Sequence, residues 1–338
     1  MNLVRAELER LSARRFVQLM VVLLALAFAV TAATTLAGSH RPSEAELSSA
    51  RTQAAEALQG MEATHQQCLA RQNSMTPPGE TDDFYATDCS EFDPIRQDRL
   101  PIAADYLPGV FSFEQQARPL LYFLIAFLVL FGFLVGASYI GADLNSGGVV
   151  NLLLWRPRRL TVLGTKLGTL LGTVLALAVG ASLVYLATFW VIGQTAGLGG
   201  RPGDDFWRSL GAIHGRGLVL VLLATALGFA IATLGRHTSA ALGAAAAYTV
   251  VWELGARLVL EIVDARRPDR LMLSSHIAAW LNGKVRFWDN QLCTSSSGTD
   301  PCSGFYSLTW GPSLVVLLVI TGGLTVAAFA VFRRRDLL

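Results

Sequence analysis

Charge is what this chain has least of. Only 15% of its 338 residues are Asp, Glu, Lys or Arg, against about 25% in an average soluble protein. With 52% hydrophobic residues, that deficit implies a membrane protein. A net charge of +2 is too small to argue for a nucleic-acid partner, and the basic residues gather at the ends of apolar runs. Histidine is scarce: the five, at positions 40, 65, 214, 237 and 276, form no metal constellation. No Gly-x-x-x-x-Gly-Lys-Ser/Thr loop occurs, since Gly283-Lys284 is followed by Val285 and Lys166 follows Thr165, so this chain is not expected to hydrolyse ATP. Gly-x-Ser-x-Gly elbows and His-Glu-x-x-His helices are missing too, which leaves membrane hydrolase chemistry without a centre and no residue to name as catalytic.

Cysteine is sparser still. The four fall in two pairs, Cys68 with Cys89 and Cys293 with Cys302, each in a polar segment between apolar runs. Neither pair has zinc-ribbon spacing, and His65 is the only imidazole near the first. Two disulfides on an oxidising face are therefore expected, with four free thiols as the alternative.

What is present is a series of long apolar runs. Residues 1–15 place Val4, Leu8 and Leu11 at helical spacing among Arg and Glu, the pattern of an interfacial helix with its basic side toward anionic lipid. Phe16 to Gly38 is long enough to cross a bilayer core of roughly 30 Å. It is too long for a signal peptide, and Arg14 and Arg15 hold its start in the cytoplasm. Residues 39–118 are a polar insertion that parity places outside. Within it Leu47, Ala54, Leu58, Met61, His65 and Cys68 predict an amphipathic helix from Ser43 to Arg71, stopped by Thr76-Pro77-Pro78-Gly79. So long an insertion calls for its own fold, either a small cap with a binding role or an inert spacer.

Further spans are read at 119–140, 168–192, 211–234, 239–262 and 311–332, separated by a connector at 141–167, an outer loop at 193–210, a tight turn at Gly235 to Thr238 and an outer loop at 263–310. Gly164, Gly168 and Gly172 recur at four-residue steps and suggest a face for close helix packing. In the fifth span Glu253, Arg257 and Glu261 follow one another at i, i+4, so each acid can pair with the arginine. Glu253 would lie about 13 Å inside Ile262, near the bilayer middle. Such a face lines a translocation path or fixes a packing or dimer seam. The 263–310 loop contains Leu271 to Leu281, apolar but too short to cross, which reads as a re-entrant or interfacial helix. The triple arginine of the 333–338 tail anchors the C-terminus in the cytoplasm. With six spans both termini lie inside and both cysteine pairs outside, an all-α polytopic membrane protein.

The 136–166 stretch carries the most specific order of residues. Asp143 is followed by a Ser146-Gly147-Gly148 turn, an apolar patch from Val149 through Leu152 to Trp155, then Arg156-Pro157, Arg158, Arg159, Gly164 and Lys166. The glycines allow a tight reversal, and Pro157 ends a short helix over Val149 to Trp155. Read by charge alone, this is a basic loop that fixes topology. Its order resembles the first cytoplasmic loop of the type 2 ABC transporter permeases, where the loop is a coupling helix that docks in a separate ATPase. Asp143 stands where that family more often has Glu. The aromatic-Arg-Asp order of Phe332 to Asp336 also resembles the family's ending.

The resemblance covers nearly the whole chain except 39–118. It implies an exporter permease in a bacterial-type plasma membrane, paired with a second copy and bound to two ATPase subunits that hold the ATP and magnesium. The implied coupling residues are Asp143, Gly147, Val149, Leu152, Trp155, Arg156, Pro157, Arg159 and Lys166. An apolar path with few charges points to an amphipathic or lipid-like cargo over a small ion. The competing reading is a membrane sensor or scaffold whose outer cap binds a ligand or partner without transport.

Overall fold

Two helices, α1 (Leu3–Ser12) and α2 (Arg15–Ala37), meet at a corner where the Arg14 backbone is extended. Residues 3–73, 89, 92–94, 100–146, 159–200, 202–263, 265–289 and 305–334 are described in this computed structural model. Leu11 of α1 is buried against the bundle, as its helical spacing with Leu8 and Val4 requires of at least one face. Ser43 starts α3 (Glu44–Asn73) with a capping box. The Glu46 carboxylate accepts from the Ser43 backbone N–H at 2.7 Å, and the Glu46 N–H donates to Ser43 Oγ at 3.3 Å. Cys68, near the far end of α3, is disulfide-bonded to Cys89. Cys293 and Cys302 lie outside the described residues.

The remaining long helices are α4 (Phe113–Asn145), α5 (Arg159–Ala196) and α6 (Asp204–Gly235). Each is longer than the apolar run that predicts it, because polar first and last turns continue the helix beyond a greasy middle. Together with α2 and the last helix they make five, among the described residues, that are long and apolar enough to cross a membrane. The predicted fifth span is helical throughout but not uniform. It is α7 (Thr238–Ala247), then a π-helix over Tyr248–Ala256, then α8 (Arg257–Ile262).

The core sits between α4 and α6. A Cβ at Gly132 would overlap the Thr225 hydroxyl, one at Gly136 the Thr225 carbonyl, and one at Gly228 the Phe133 carbonyl. Small residues therefore let these two backbones close on each other, with Leu121, Leu128 and Phe229 filling the flanks at near-zero exposure. The glycines singled out from the sequence do not do this within the chain. Among the described residues, a Cβ at Gly168 or Gly172 of α5 would meet nothing within 4 Å, and one at Gly164 would meet only the Phe329 ring at 4.0 Å.

Two small pieces of β structure, absent from the sequence reading, organise the end of the bundle opposite α1. Strand β1 (Phe111–Ser112) pairs in parallel with β2 (Gly197–Leu198), and Ser39 accepts from the Phe111 N–H at 2.9 Å while donating to the Ala196 carbonyl. The insertion after α2 is thus seated on the end of α5. After α8 a 3-10 turn (Pro268–Leu271) leads to α9 (Leu273–Asn282), which lies where the short apolar stretch predicts a helix. An antiparallel hairpin of β3 (Lys284–Trp288) and β4 (Phe305–Thr309) follows and runs directly into α10 (Trp310–Arg334). Its Val285, Phe287, Tyr306 and Leu308 alternate inward, the period of a half-buried ladder.

Candidate functional site

Both flanks of the basic connector are pinned to α1 by a buried knot of charge. Lys166, in the second turn of α5, places Nζ 2.8 Å from Glu7 Oε2 and 2.8 Å from Asp143 Oδ2. The Lys166 and Glu7 side chains are each 2% exposed. Arg14 holds the other oxygen of Asp143 and donates to the Ser138 carbonyl at 3.2 Å. Tyr139 donates its hydroxyl to Glu7, and its ring faces the Arg14 guanidinium at 4.9 Å and the Lys166 ammonium at 5.0 Å. Two carboxylates, two cations and an aromatic face neutralise one another in a place where an unpaired charge would cost several kcal/mol.

The geometry fixes position more than it adds stability. Asp143 lies three residues before Ser146, whose N–H closes α4 on the Ala142 carbonyl at 3.0 Å. Lys166 lies seven residues after Arg159, where α5 begins. The connector between them leaves from and returns to one rigid base, and α1 is part of that base. Of the residues expected to couple to an ATPase, Asp143 and Lys166 are thus brought together. Arg159 opens α5 half-buried, and Gly147, Val149, Leu152, Trp155, Arg156 and Pro157 lie outside the described residues. Lys166 has no surface to offer a docking protein, so its role is to hold the connector's base. Glu7, Arg14 and Tyr139 were missed from sequence. The available signal was Glu7 itself, a carboxylate among Val4, Leu8 and Leu11 on the apolar face of α1.

Of the two i, i+4 pairs read in the fifth span, Arg257 with Glu261 forms and Glu253 with Arg257 does not. Arg257 pairs with Glu261 at 3.1 Å and with Asp269 at 3.8 Å, while Glu253 turns away from it. Glu253 accepts from the Tyr248 hydroxyl at 2.9 Å, from the Ser274 N–H at 3.1 Å and from the Ser274 hydroxyl at 2.7 Å. The cause is the π-helix. Residues five apart stand about 140° apart on an α-helix but share a face when bonds run i to i+5, so Tyr248 and Glu253 act together.

Glu253 thereby caps α9 from another element. Met272 occupies the N-cap and has no acceptor side chain; Glu253 supplies one, while Tyr248 Oη accepts from the Leu273 N–H at 3.3 Å and Trp252 donates to the Leu271 carbonyl at 3.0 Å. At the other end Arg216 of α6 donates to the Leu281 carbonyl at 3.4 Å, Trp280 donates to the Arg216 carbonyl, and Trp310 N–H bonds the Gly283 carbonyl at 2.9 Å. An anion at its N-terminus and a cation at its C-terminus both suit the helix dipole. Ser274 is two residues from His276, which meets Ser313 in the first turn of α10 at 3.3 Å. Glu253 is thus tied to α9, the element that packs on the start of α10.

A family model described as ABC-2 family transporter protein matches residues 1–337. No curated protein and no solved structure matches the chain.

Proposed function

The chain belongs to the ABC-2 transporter family, whose members are permease subunits of ABC transporters, and from that premise we propose that it works in export as one of two copies. Each copy contributes six spans, with the helical run 238–262 as the fifth and both termini in the cytoplasm. A separate pair of ATPase subunits supplies ATP and magnesium, and the 141–167 connector is the lever they move. Closure of the ATPases pushes the connector, and α4 and α5 tilt together because their ends share one base. The observation that carries this reading is Lys166 bridging Glu7 and Asp143, which makes α1, α4 and α5 respond as a unit. A second copy is supported by Val250, Leu254, Leu258 and Ile262, all of which face outward from a single chain. Export of an amphipathic cargo suits walls with so few charges.

The test is co-purification from the native membrane together with a paired substitution. A nucleotide-binding protein should accompany the chain. Arg156→Glu with Pro157→Ala should leave assembly intact and separate ATP hydrolysis from transport. Isolation of the chain alone, or undiminished transport by that variant, rejects the assignment.

A further inference from the structure

Beneath α1, the face between α2 and α5 opens into two adjoining apolar cavities. The first, about 620 Å³, is framed by Leu8 and Leu11 of α1, Val21 and Val22 of α2 and Leu177 of α5. The second, about 260 Å³, shares Val21 and Leu177 and continues to Phe28 and Tyr185. Together they make a half-enclosed groove whose larger part falls in the size range of ligand sites. Helix α2 buries only Val17 and Leu24 of its own residues and meets α5 through Phe28, which leaves the groove between the two helices open along its length.

Length, end and mouth together select an occupant. From Val17 to Phe28 the groove follows α2 for about 17 Å at 1.5 Å per residue. That is close to one leaflet of a core roughly 30 Å thick. Its far end is stopped by an aromatic cluster, Phe28 lying 5.4 Å from the Tyr185 ring and 6.5 Å from that of Phe189. Its near end is roofed by α1. Arg15, exposed and two residues before Val17, does not line the cavity itself but shares a helical face with Gln18 and Val22, which do. Arg15 has no ion pair among the described residues, whereas Arg14 is taken by Asp143, and Glu9, which also lines the cavity, is taken by Arg5 at 3.2 Å. A free cation at the interface end of a leaflet-long apolar groove matches a phosphate carrying an acyl chain.

We propose that this groove is a binding site for a phospholipid of the leaflet in which α1 lies, with one acyl chain between α2 and α5 and its phosphate at Arg15. The second chain lies along the outward face of α2, where Val22 and Leu26 are 63% and 59% exposed. The bound lipid fills the gap that separates α2 from the bundle and joins α1 to the bundle's outer surface. The inference needs only that α2 and α5 cross a membrane, and it stands whether or not the chain exports anything.

The full chain is reconstituted in nanodiscs of phosphatidylcholine with a minor fraction of phosphatidylglycerol whose acyl chain carries a photoactivatable diazirine. Irradiation should label peptides covering Val17 to Phe28 and Thr173 to Tyr185 several-fold more than those covering Val250 to Ile262. Ala25→Trp, which fills the second cavity, should remove most of the label near Tyr185. Gly180→Leu fills it from the other wall and serves if Ala25→Trp does not fold. Arg15→Gln should erase the preference for the phosphatidylglycerol probe over the same probe on phosphatidylcholine. Label spread evenly over all outward apolar faces, or unmoved by both cavity-filling variants, means an annular lipid only and overturns the site. Retained headgroup preference in Arg15→Gln overturns the phosphate contact.

Discussion

Glu7 and Lys166, separated by most of the first half of the chain, meet at 2.8 Å with both side chains almost wholly buried. A pair so placed is asymmetric in its energetics. Removing one partner leaves a charge stranded and costs about 3 to 5 kcal/mol, whereas removing both costs much less. Lys166→Met is therefore expected to be strongly destabilising, leaving Glu7 and Asp143 facing each other. Glu7→Gln with Lys166→Met should recover part of that loss. Thermal unfolding of the four forms in one detergent measures the coupling. Additive losses would mean that the two side chains are neighbours without being partners.

The cap that Glu253 places on α9 leads to a second expectation. With Met272 unable to accept a bond, Glu253→Ala leaves the Ser274 N–H and hydroxyl without their acceptor, a loss of about 1 kcal/mol. Hydrogen exchange over residues 271–276 should quicken in Glu253→Ala and less so in Glu253→Gln, which keeps one oxygen. Arg257→Gln should leave that stretch unchanged, because Arg257 turns to Glu261 and Asp269 instead. Equal quickening in the Arg257 variant would return Glu253 and Arg257 to a single pair.

These two sites show what a linear reading sees and where it stops. Apolar runs and the apolar spacing from Leu47 to Cys68 declare helices, because periodicity acts over a few neighbouring residues; the capping box at Ser43 could have been read there too. Asp143 and Lys166 were legible as members of one ordered motif. Their meeting with Glu7 was not, since nothing local says which face of α1 a distant lysine approaches. The fifth span misled because an α-helical period was applied to a π-helix, whose extra residue per turn rotates Glu253 onto Tyr248. The hairpin was hidden by its short length, although Val285, Phe287, Tyr306 and Leu308 alternate as strands do. Spacing also proposes glycine faces without choosing between them. Gly132 and Gly136 have the same four-residue step as Gly168 and Gly172, and only the fold decides which step meets another helix.

That contrast supports a third prediction. Gly136→Ala forces a methyl group onto the Thr225 carbonyl between α4 and α6 and should cost about 1 to 3 kcal/mol. Gly172→Ala, open on all sides, should be neutral or stabilising by up to about 1 kcal/mol through helix propensity alone. Melting temperatures of the two variants in the same detergent decide it. Should Gly172→Ala prove the more damaging, α5 and not α4 would carry the close helix contact.

The start of α3 should respond to acid, and the sign follows from its capping box. The Ser43 backbone N–H, then the Ser43 hydroxyl and His40, hold the Glu46 carboxyl below its usual value. A carboxylate whose folded pKa is depressed contributes its stabilisation fully above the unfolded-state pKa, and the contribution is lost as pH falls through the folded value. Glu46 is solvent-exposed, so the effect is local, fraying the first turn without unfolding the chain. Backbone amide exchange at Glu46 and Leu47, corrected for intrinsic rates, should therefore lose protection on acidification below the ordinary glutamate range. Glu46→Gln, which keeps an acceptor but no titrating group, should flatten that pH dependence while retaining some protection at neutral pH. A variant with the same acid-induced loss as the parent would show that the first turn is governed by another group, with His40, 3.3 Å from Glu46, the next to substitute.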